Sequence, residues 1–253
     1  MWRARPPEAS QVKLLRAARD RFDLHPLVIH VNYLVNLASL DPVIRARSID
    51  AFRGELVRAA MIGAEFLVVH PGSHRGNSPD QGISAFVHAL RDAAHGLDTG
   101  GVTVLLENTA GAGSHLGGRL TDLQSIRGLA AELTELPIGF CLDTCHLLAA
   151  GFDIATQPGL RATLQQVEAT LGLANVCVMH ANDSKGALAS HLDRHANIGE
   201  GRIGREAFHR ILTHPKLRTK PFILETPVDN EGDDRRNLDS LKFLSRRGAL
   251  IRH

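Results

Sequence analysis

The stretch TDLQSIRGLAAELTELPIGFCLD, residues 121–143, decides the fold class of this protein. Its first part spaces apolar residues three and four apart, which is typical of a helix that packs on a sheet. Its last part, IGFCLD, is a short apolar run of the kind found in strands that are buried on both faces. A helix followed by such a strand predicts one unit of an α/β fold with a parallel sheet.

Six such apolar runs recur, and each is followed by a longer amphipathic stretch. They are LVIH ending at His30, FLVVH at His70, VTVLLE at Glu107, IGFCLD at Asp143, NVCVMH at His180 and PFILE at Glu225. Two of the predicted helices open near Asp41 and Thr121, which are residue types that cap helices. No linker divides the chain, so the repeat predicts a TIM-type (β/α) barrel that forms a single domain over residues 1–253.

The composition narrows the class of protein. A chain of 253 residues with 43% hydrophobic and 22% charged residues is not a disordered or fibrous protein. No run approaches the ~20 apolar residues of a membrane helix, and the first residues do not form a signal peptide, so we predict a cytoplasmic protein. The net charge is only +2, and affinity for a polyanion would therefore depend on local placement of Arg and Lys.

The ends of the six runs share one chemical character, because every run ends in His, Asp or Glu. The carboxyl ends of barrel strands form the face on which active sites are built. Acidic and imidazole groups crowded there would repel one another or lose solvation without a cation. Mixed nitrogen and oxygen ligands suit zinc, with manganese or iron as alternatives. The sequence therefore predicts a metal site.

Further candidate ligands follow two of the runs. DTCH places His146 three residues after Asp143, and HLDRH places Asp193 and His195 two residues apart. Each of these residues taken alone is most simply a structural residue or a helix cap. Nine candidates together are too many for one metal ion and suit a cluster of three. His74, His115 and His191 are expected to support ligands or to lie on the surface.

Six motifs occur in a fixed order over about residues 26–227: HVNYLVNLA, HPGSH, LLENTAGAG, CLDTCHLLAAGFD, HANDSKGALASHLDRHANIGEG and ILETP. Together they resemble the endonuclease IV family, which consists of zinc-dependent enzymes that cut DNA beside abasic sites in base excision repair. The resemblance implies three zinc ions, with manganese possible in place of one. By this resemblance His30, His70 and Glu107 would bind the first ion. Glu107 would bridge to a second that Asp143, His180 and Glu225 also bind, and His146, Asp193 and His195 would bind the third.

The resemblance also implies a reaction and a partner. The reaction is hydrolysis of the phosphodiester on the 5′ side of an abasic site in double-stranded DNA, which makes the chain a metal-dependent phosphodiesterase. Glu225 would orient or deprotonate the attacking water. The implied contacts with DNA are made by Tyr33 and Leu34, which would enter the duplex, and by three basic residues: Lys185, Arg194 and Arg202.

The pattern departs from a complete barrel in one respect, because a barrel of this type has eight strands and the sequence predicts about six. We therefore expect a barrel that is incomplete at its N-terminus, with LVIHV and FILET as open edges. A monomer is expected unless those edges pair with another chain. Two rival functions stay open: a metal-dependent sugar isomerase or epimerase of related barrel fold, and a truncated remnant that binds DNA or metal without turnover.

Overall fold

The structure is a computed structural model that describes residues 5–246. These residues fall into two compact units. The first comprises residues 5–107, 114–116 and 121–139, and the second comprises residues 108–113, 117–120 and 140–246.

The first unit is built on three parallel strands, β1 (Val28–His30), β2 (Phe66–Val69) and β3 (Thr103–Glu107). β2 lies between the other two and pairs with both of them in parallel register. Val68 and Leu105, which are partners across β2 and β3, are completely buried. The continuous apolar runs of the sequence therefore do correspond to strands covered on both faces, as predicted.

The helices of this unit are α1 (Ala9–Phe22), α2 (Pro42–Ile62), α3 (Pro79–Ala94) and α4 (Leu120–Leu133), which lies in this unit from residue 121. Asp41 caps α2 as predicted, because its Oδ1 accepts hydrogen bonds from the N–H groups of Val43 and Ile44. The prediction that α4 opens with a cap at Thr121 is wrong. α4 begins at Leu120, so Thr121 is already a helical residue.

A buried arginine fastens α1 to the rest of the first unit. Nη2 of Arg19 lies 2.8 Å from both carboxylate oxygens of Glu65, and its Nη1 donates to the carbonyl oxygen of Gly63. Burial alone would raise the pKa of Glu65. Hydrogen bonds from the Leu27 N–H, from Arg19 and from His25 outweigh it and lower this pKa to about 2.

The second unit contains a parallel group of strands, a short antiparallel pair and four helices. In chain order these elements are β4 (Ile138–Asp143), which lies in this unit from residue 140, α5 (Thr144–Ala149), α6 (Gln157–Thr170), β5 (Val176–His180), β6 (Asp183–Ser184), β7 (His195–Ala196), α7 (Arg205–Thr213), β8 (Phe222–Ile223) and α8 (Asp233–Leu244). β5 pairs in parallel with β4 on one side and with β8 on the other. β6 and β7 pair with each other in antiparallel fashion.

All six apolar runs form strands, namely β1, β2, β3, β4, β5 and β8, so the predicted number of parallel strands is confirmed for the part of the chain described. Two of the run ends lie just outside their strands, because β2 ends one residue before His70 and β8 ends two residues before Glu225. Among residues 5–246, no helix is long and apolar enough to cross a membrane. The single domain over residues 1–253 stays a prediction.

Candidate metal centre

Three predicted ligands of the first unit meet at the carboxyl ends of its strands. We call His30, His70 and Glu107 the imidazole–carboxylate cluster. Nε2 of His30 lies 2.9 Å from Oε2 of Glu107, and Nε2 of His70 lies 3.0 Å from the same oxygen. The two imidazole rings are 5.2 Å apart and nearly perpendicular, and Glu107 is completely buried.

The hydrogen bonding of His30 shows why this cluster suits a cation. Its Nδ1 lies 2.7 Å from the carbonyl oxygen of Val31, so Nδ1 carries a proton and donates it. In a neutral ring Nε2 then presents a lone pair to Oε2 of Glu107. These two electron-rich atoms repel each other unless a proton or a metal ion lies between them. Ligating histidines commonly donate their other ring N–H to a carbonyl in this way.

The second unit repeats this arrangement in the hairpin cluster, which consists of Asp143, His146, Asp193 and His195. Nδ1 of His146 donates to the carbonyl oxygen of Asn108 across 2.9 Å. Nδ1 of His195 donates to that of Glu225, also across 2.9 Å. Nε2 of each ring lies 3.3 Å from Oδ1 of Asp193. Both histidines are therefore held by the main chain and turned towards one carboxylate.

The pKa shifts of the hairpin cluster reflect this crowding. Hydrogen bonds from His146 and His195 hold the pKa of the Asp193 carboxyl well below its usual range. Burial alone would lower the pKa of His195, but the hydrogen bond to Asp193 and the charge of Asp143 raise it to about 9. Cys145 lies beside this cluster, and burial raises the pKa of its thiol to about 11. The cluster thus attracts positive charge, which a divalent cation would supply in place of the imidazole proton.

The spacing of the DTCH motif has a local structural cause. Asp143 is the last residue of β4 and also the N-cap of α5, and its Oδ1 accepts a hydrogen bond from the N–H of His146 across 2.7 Å. This bond places His146 in the first turn of the helix, on the side of the capping carboxylate. A strand end followed directly by a helix therefore brings two predicted ligands together.

A further set of predicted ligands, the strand-end group, lies at the ends of β4, β5 and β8. It consists of Asp143, His180 and Glu225, whose ligand atoms all lie within 4.8 Å of one another. Nδ1 of His180 lies 3.1 Å from Oε2 of Glu225. Asp143 and His180 are buried, whereas the Glu225 side chain is 31% exposed and hence within reach of a solvent molecule or a substrate.

Two asparagines that we did not single out from the sequence orient the strand-end group. Nδ2 of Asn182 donates to Oδ2 of Asp143 across 2.5 Å, and its Oδ1 accepts from the N–H of Glu225 across 2.8 Å. Oδ1 of Asn108 accepts from the N–H of Asp143 across 2.7 Å. Both asparagines are buried. The sequence indicates their role only in that each lies close to a predicted ligand. Asn182 follows His180 by two residues, and Asn108 follows Glu107 directly.

Asp183 organises the loop that carries Arg202. Its buried carboxylate accepts five main-chain hydrogen bonds of 2.8–3.2 Å, from the N–H groups of Ser184, Gly199, Gly201, Ile203 and Gly204. A Cβ atom at Gly201 would lie 2.4 Å from Oδ1 of Asp183, so only glycine fits this position without a shift. The NDSK and IGEG motifs are thus joined by the hydrogen bonds of the Asp183 carboxylate.

The structure places the predicted ligands in two groups, three in the first unit and six in the second. His74, His115 and His191 belong to none of the metal-binding groups found among residues 5–246. Of the predicted DNA contacts, Leu34 is half-buried and the other four are exposed: Tyr33, Lys185, Arg194 and Arg202. Their contact with DNA and the individual ligand assignments stay predictions.

Comparison with known proteins gives consistent results. The family described as xylose isomerase-like TIM barrel matches residues 1–247, which confirms the predicted fold class. A probable endonuclease 4 from Solibacter usitatus (strain Ellin6076) is 73% identical over 245 residues, which are 97% of this chain and 84% of the relative. The crystal structure of endonuclease IV from Thermus thermophilus is 36% identical with a TM-score of 0.82, covering 96% of this chain and 84% of that one.

A more distant likeness bears on the rival function. The structure of a D-tagatose 3-epimerase-like protein is 22% identical, with a TM-score of 0.66, and covers 94% of this chain and 83% of that one. At this identity the likeness concerns the fold alone.

Proposed function

This chain belongs to the endonuclease IV family of xylose isomerase-like TIM barrels, and on that premise we propose that it cleaves double-stranded DNA on the 5′ side of abasic sites. It is accordingly a hydrolase of the AP endonuclease class. The observation that carries the proposal is the repeated ligand geometry, in which His30, His146 and His195 each bind a main-chain carbonyl through Nδ1 and face a carboxylate through Nε2.

We propose three zinc ions as the cofactor, with manganese possible in place of one. His30, His70 and Glu107 would hold the first ion. Asp143, His180 and Glu225 would hold the second, and His146, Asp193 and His195 would hold the third. Zinc bound in this way would lower the pKa of a bound water towards neutrality. It would also neutralise negative charge on the phosphate oxygens.

Glu225 is our candidate for the catalytic carboxylate. Its main chain is fixed twice, since its N–H donates to Asn182 and its carbonyl oxygen accepts from His195. Its side chain is the most exposed of the strand-end group. A fixed main chain with an accessible carboxylate suits a group that orients or deprotonates the attacking water.

The exposed residues supply the proposed contacts with DNA. Tyr33 is 88% exposed, which is unusual for a tyrosine and fits a side chain that enters a duplex together with Leu34. Lys185, Arg194 and Arg202 are exposed cations on the segments that follow β5, and we propose that they bind phosphates. A cytoplasmic monomer acting in base excision repair is part of the same proposal.

The first experiment is cleavage of a duplex with one abasic site by the zinc-loaded chain. We expect incision on the 5′ side that leaves a 3′-hydroxyl, and we expect Glu225→Gln to abolish it. Glu206→Gln is the matched control, because Glu206 is an exposed glutamate on α7 that serves no proposed function.

Two other outcomes would contradict the proposal. Binding of zinc and abasic DNA without incision would identify a remnant that has lost turnover. Epimerisation of a ketose without incision would favour the sugar epimerase, for which the present support is likeness of fold alone.

A further inference from the structure

The loop of residues 31–41, which joins β1 to α2, carries the exposed Tyr33 and, three residues later, the half-buried Asn36. The side-chain amide of Asn36 makes two hydrogen bonds to one residue of the turn that follows β2. Nδ2 donates to the carbonyl oxygen of Ser73 across 2.9 Å, and Oδ1 accepts from the N–H of Ser73 across 3.0 Å. Since both bonds go to the main chain of one residue, they fix the plane of the amide as well as its distance from the turn.

We call the Asn36 side-chain amide with its two hydrogen bonds to Ser73 the amide clamp. Neighbouring groups hold it in place. The N–H of Asn36 donates to Oγ of Ser48 on α2 across 3.0 Å. Gly72 has a φ of 85°, and a Cβ atom there would lie 2.3 Å from Oδ1 of Asn36, so the turn approaches the amide as closely as glycine allows. Ser73 is held in turn by a 2.7 Å hydrogen bond between its Oγ and that of Ser114.

A tight turn lies just before Asn36 in the chain and contains Tyr33. The N–H of Leu34 donates to Oδ1 of Asn32 across 2.9 Å, and the N–H of Val35 donates to the carbonyl oxygen of Asn32 across 3.0 Å. Tyr33 lies inside this turn, three residues from Asn36. Its main chain is therefore fixed while its side chain projects from the surface.

We propose that Asn36 is a positioning residue for the recognition of abasic sites, which it serves by holding Tyr33 and Leu34 in the conformation that enters DNA. A loop that is already ordered loses less conformational entropy when it binds than a loop that must first become ordered. The inference rests on the proposed function, because it assigns a specificity-determining role to a residue that touches neither DNA nor metal.

A double-mutant cycle tests the inference, with Asn36→Ala and Tyr33→Ala made singly and together. The substrate is an abasic duplex with 2-aminopurine beside the lesion, whose fluorescence rises when the base is unstacked. For Asn36→Ala we expect KM to rise about tenfold, because one or two loop side chains would then have to be ordered on binding, and we expect the fluorescence rise to shrink, with kcat close to wild type. In the Tyr33→Ala background Asn36→Ala should have a smaller effect than in the wild type, because only Leu34 is then left to be positioned.

Asn77→Ala is the matched control, since it removes a 2.9 Å hydrogen bond to the carbonyl oxygen of His74 in the same turn without touching loop 31–41. Asn36→Asp serves if Asn36→Ala does not fold, because it keeps the acceptor for the Ser73 N–H but sets a charged oxygen against the Ser73 carbonyl oxygen. It should also raise KM and shrink the fluorescence rise.

An equal effect of Asn36→Ala with and without Tyr33 would overturn the inference, and so would an effect no larger than that of Asn77→Ala. In either case cleavage by the wild type would leave the proposed function intact. Absence of cleavage by the zinc-loaded wild type would instead refute the proposed function, and the inference with it.

Discussion

Nδ2 of Asn182 lies 2.5 Å from Oδ2 of Asp143, and the same side chain binds the main chain of Glu225 through its Oδ1. One buried amide therefore sets the orientation of two proposed zinc ligands on different strand ends. Because each carboxylate oxygen has two lone pairs, the amide can hold Asp143 and still leave it able to bind a metal ion.

Asn182→Ala should weaken zinc binding by about 10- to 100-fold, the usual cost of removing a group that orients a metal ligand. Competition with a chromophoric chelator would measure the affinity directly, without depending on cleavage. Asn175→Ala is the control, because Nδ2 of Asn175 donates to the carbonyl oxygen of Leu171, away from every proposed ligand. Equal zinc affinity in the two variants would contradict the orienting role of Asn182.

Asp183→Asn should destabilise the protein by about 2–4 kcal/mol, because an amide nitrogen would replace an oxygen that accepts main-chain hydrogen bonds. Whichever oxygen is replaced, at least two N–H groups would face another donor. Urea unfolding followed by circular dichroism measures the difference. A free energy of unfolding within about 0.5 kcal/mol of wild type would show that the loop does not depend on the carboxylate.

Gly201→Ala and Gly128→Ala should change stability in opposite directions. At Gly201 the new Cβ would lie 2.4 Å from Oδ1 of Asp183 and 2.5 Å from the carbonyl oxygen of Ser184, so we expect a loss of about 1–3 kcal/mol. Gly128 is exposed on α4 with nothing within 4 Å of its Cβ position. There alanine should stabilise by up to about 1 kcal/mol through its higher helix propensity. Thermal midpoints of both variants test the pair, and a shift in the same direction would contradict it.

Glu65 should make the stability of the protein depend on pH in the acid range. Its pKa is lowered from 4.5 to about 2 in the folded protein, so its contribution is fully present above about pH 4.5 and is lost as the pH falls towards 2. The side chain is 38% exposed, so solvent screening reduces the contribution to about 1–2 kcal/mol.

Unfolding of wild type and Glu65→Gln in urea at pH 7 and at pH 3 measures this contribution. The wild type should be more stable at pH 7, and the difference should shrink at pH 3. Asp239→Asn removes an exposed ion pair with Arg235 and is the control, for which we expect no comparable pH dependence. If the difference in the free energy of unfolding between wild type and Glu65→Gln grew on acidification, it would contradict the lowered pKa of Glu65.

Most of the correct predictions came from patterns of residues that lie close together in the sequence. The six strands, the cap at Asp41 and the family were all readable from the chain, because strand burial and helix capping depend on residues close together in sequence. Thr121 failed as a cap since α4 begins one residue earlier, and helix ends depend on packing that a sequence pattern does not contain. Asn36, Asn182 and Asp183 were not assigned roles, because a buried polar residue shows its function only through partners distant in sequence.

The sequence by itself determined the fold class, the family and the residue types of a candidate metal site, because these follow from periodicity and from motifs that occur in a fixed order. Only the tertiary structure decided how the side chains are held. Nδ1 of His195 binds the carbonyl oxygen of Glu225, which is 30 residues away, and Asn36 binds Ser73, which is 37 residues away. Hydrogen bonds depend on distances and angles in space, and these are set only when folding brings separate segments of the chain together.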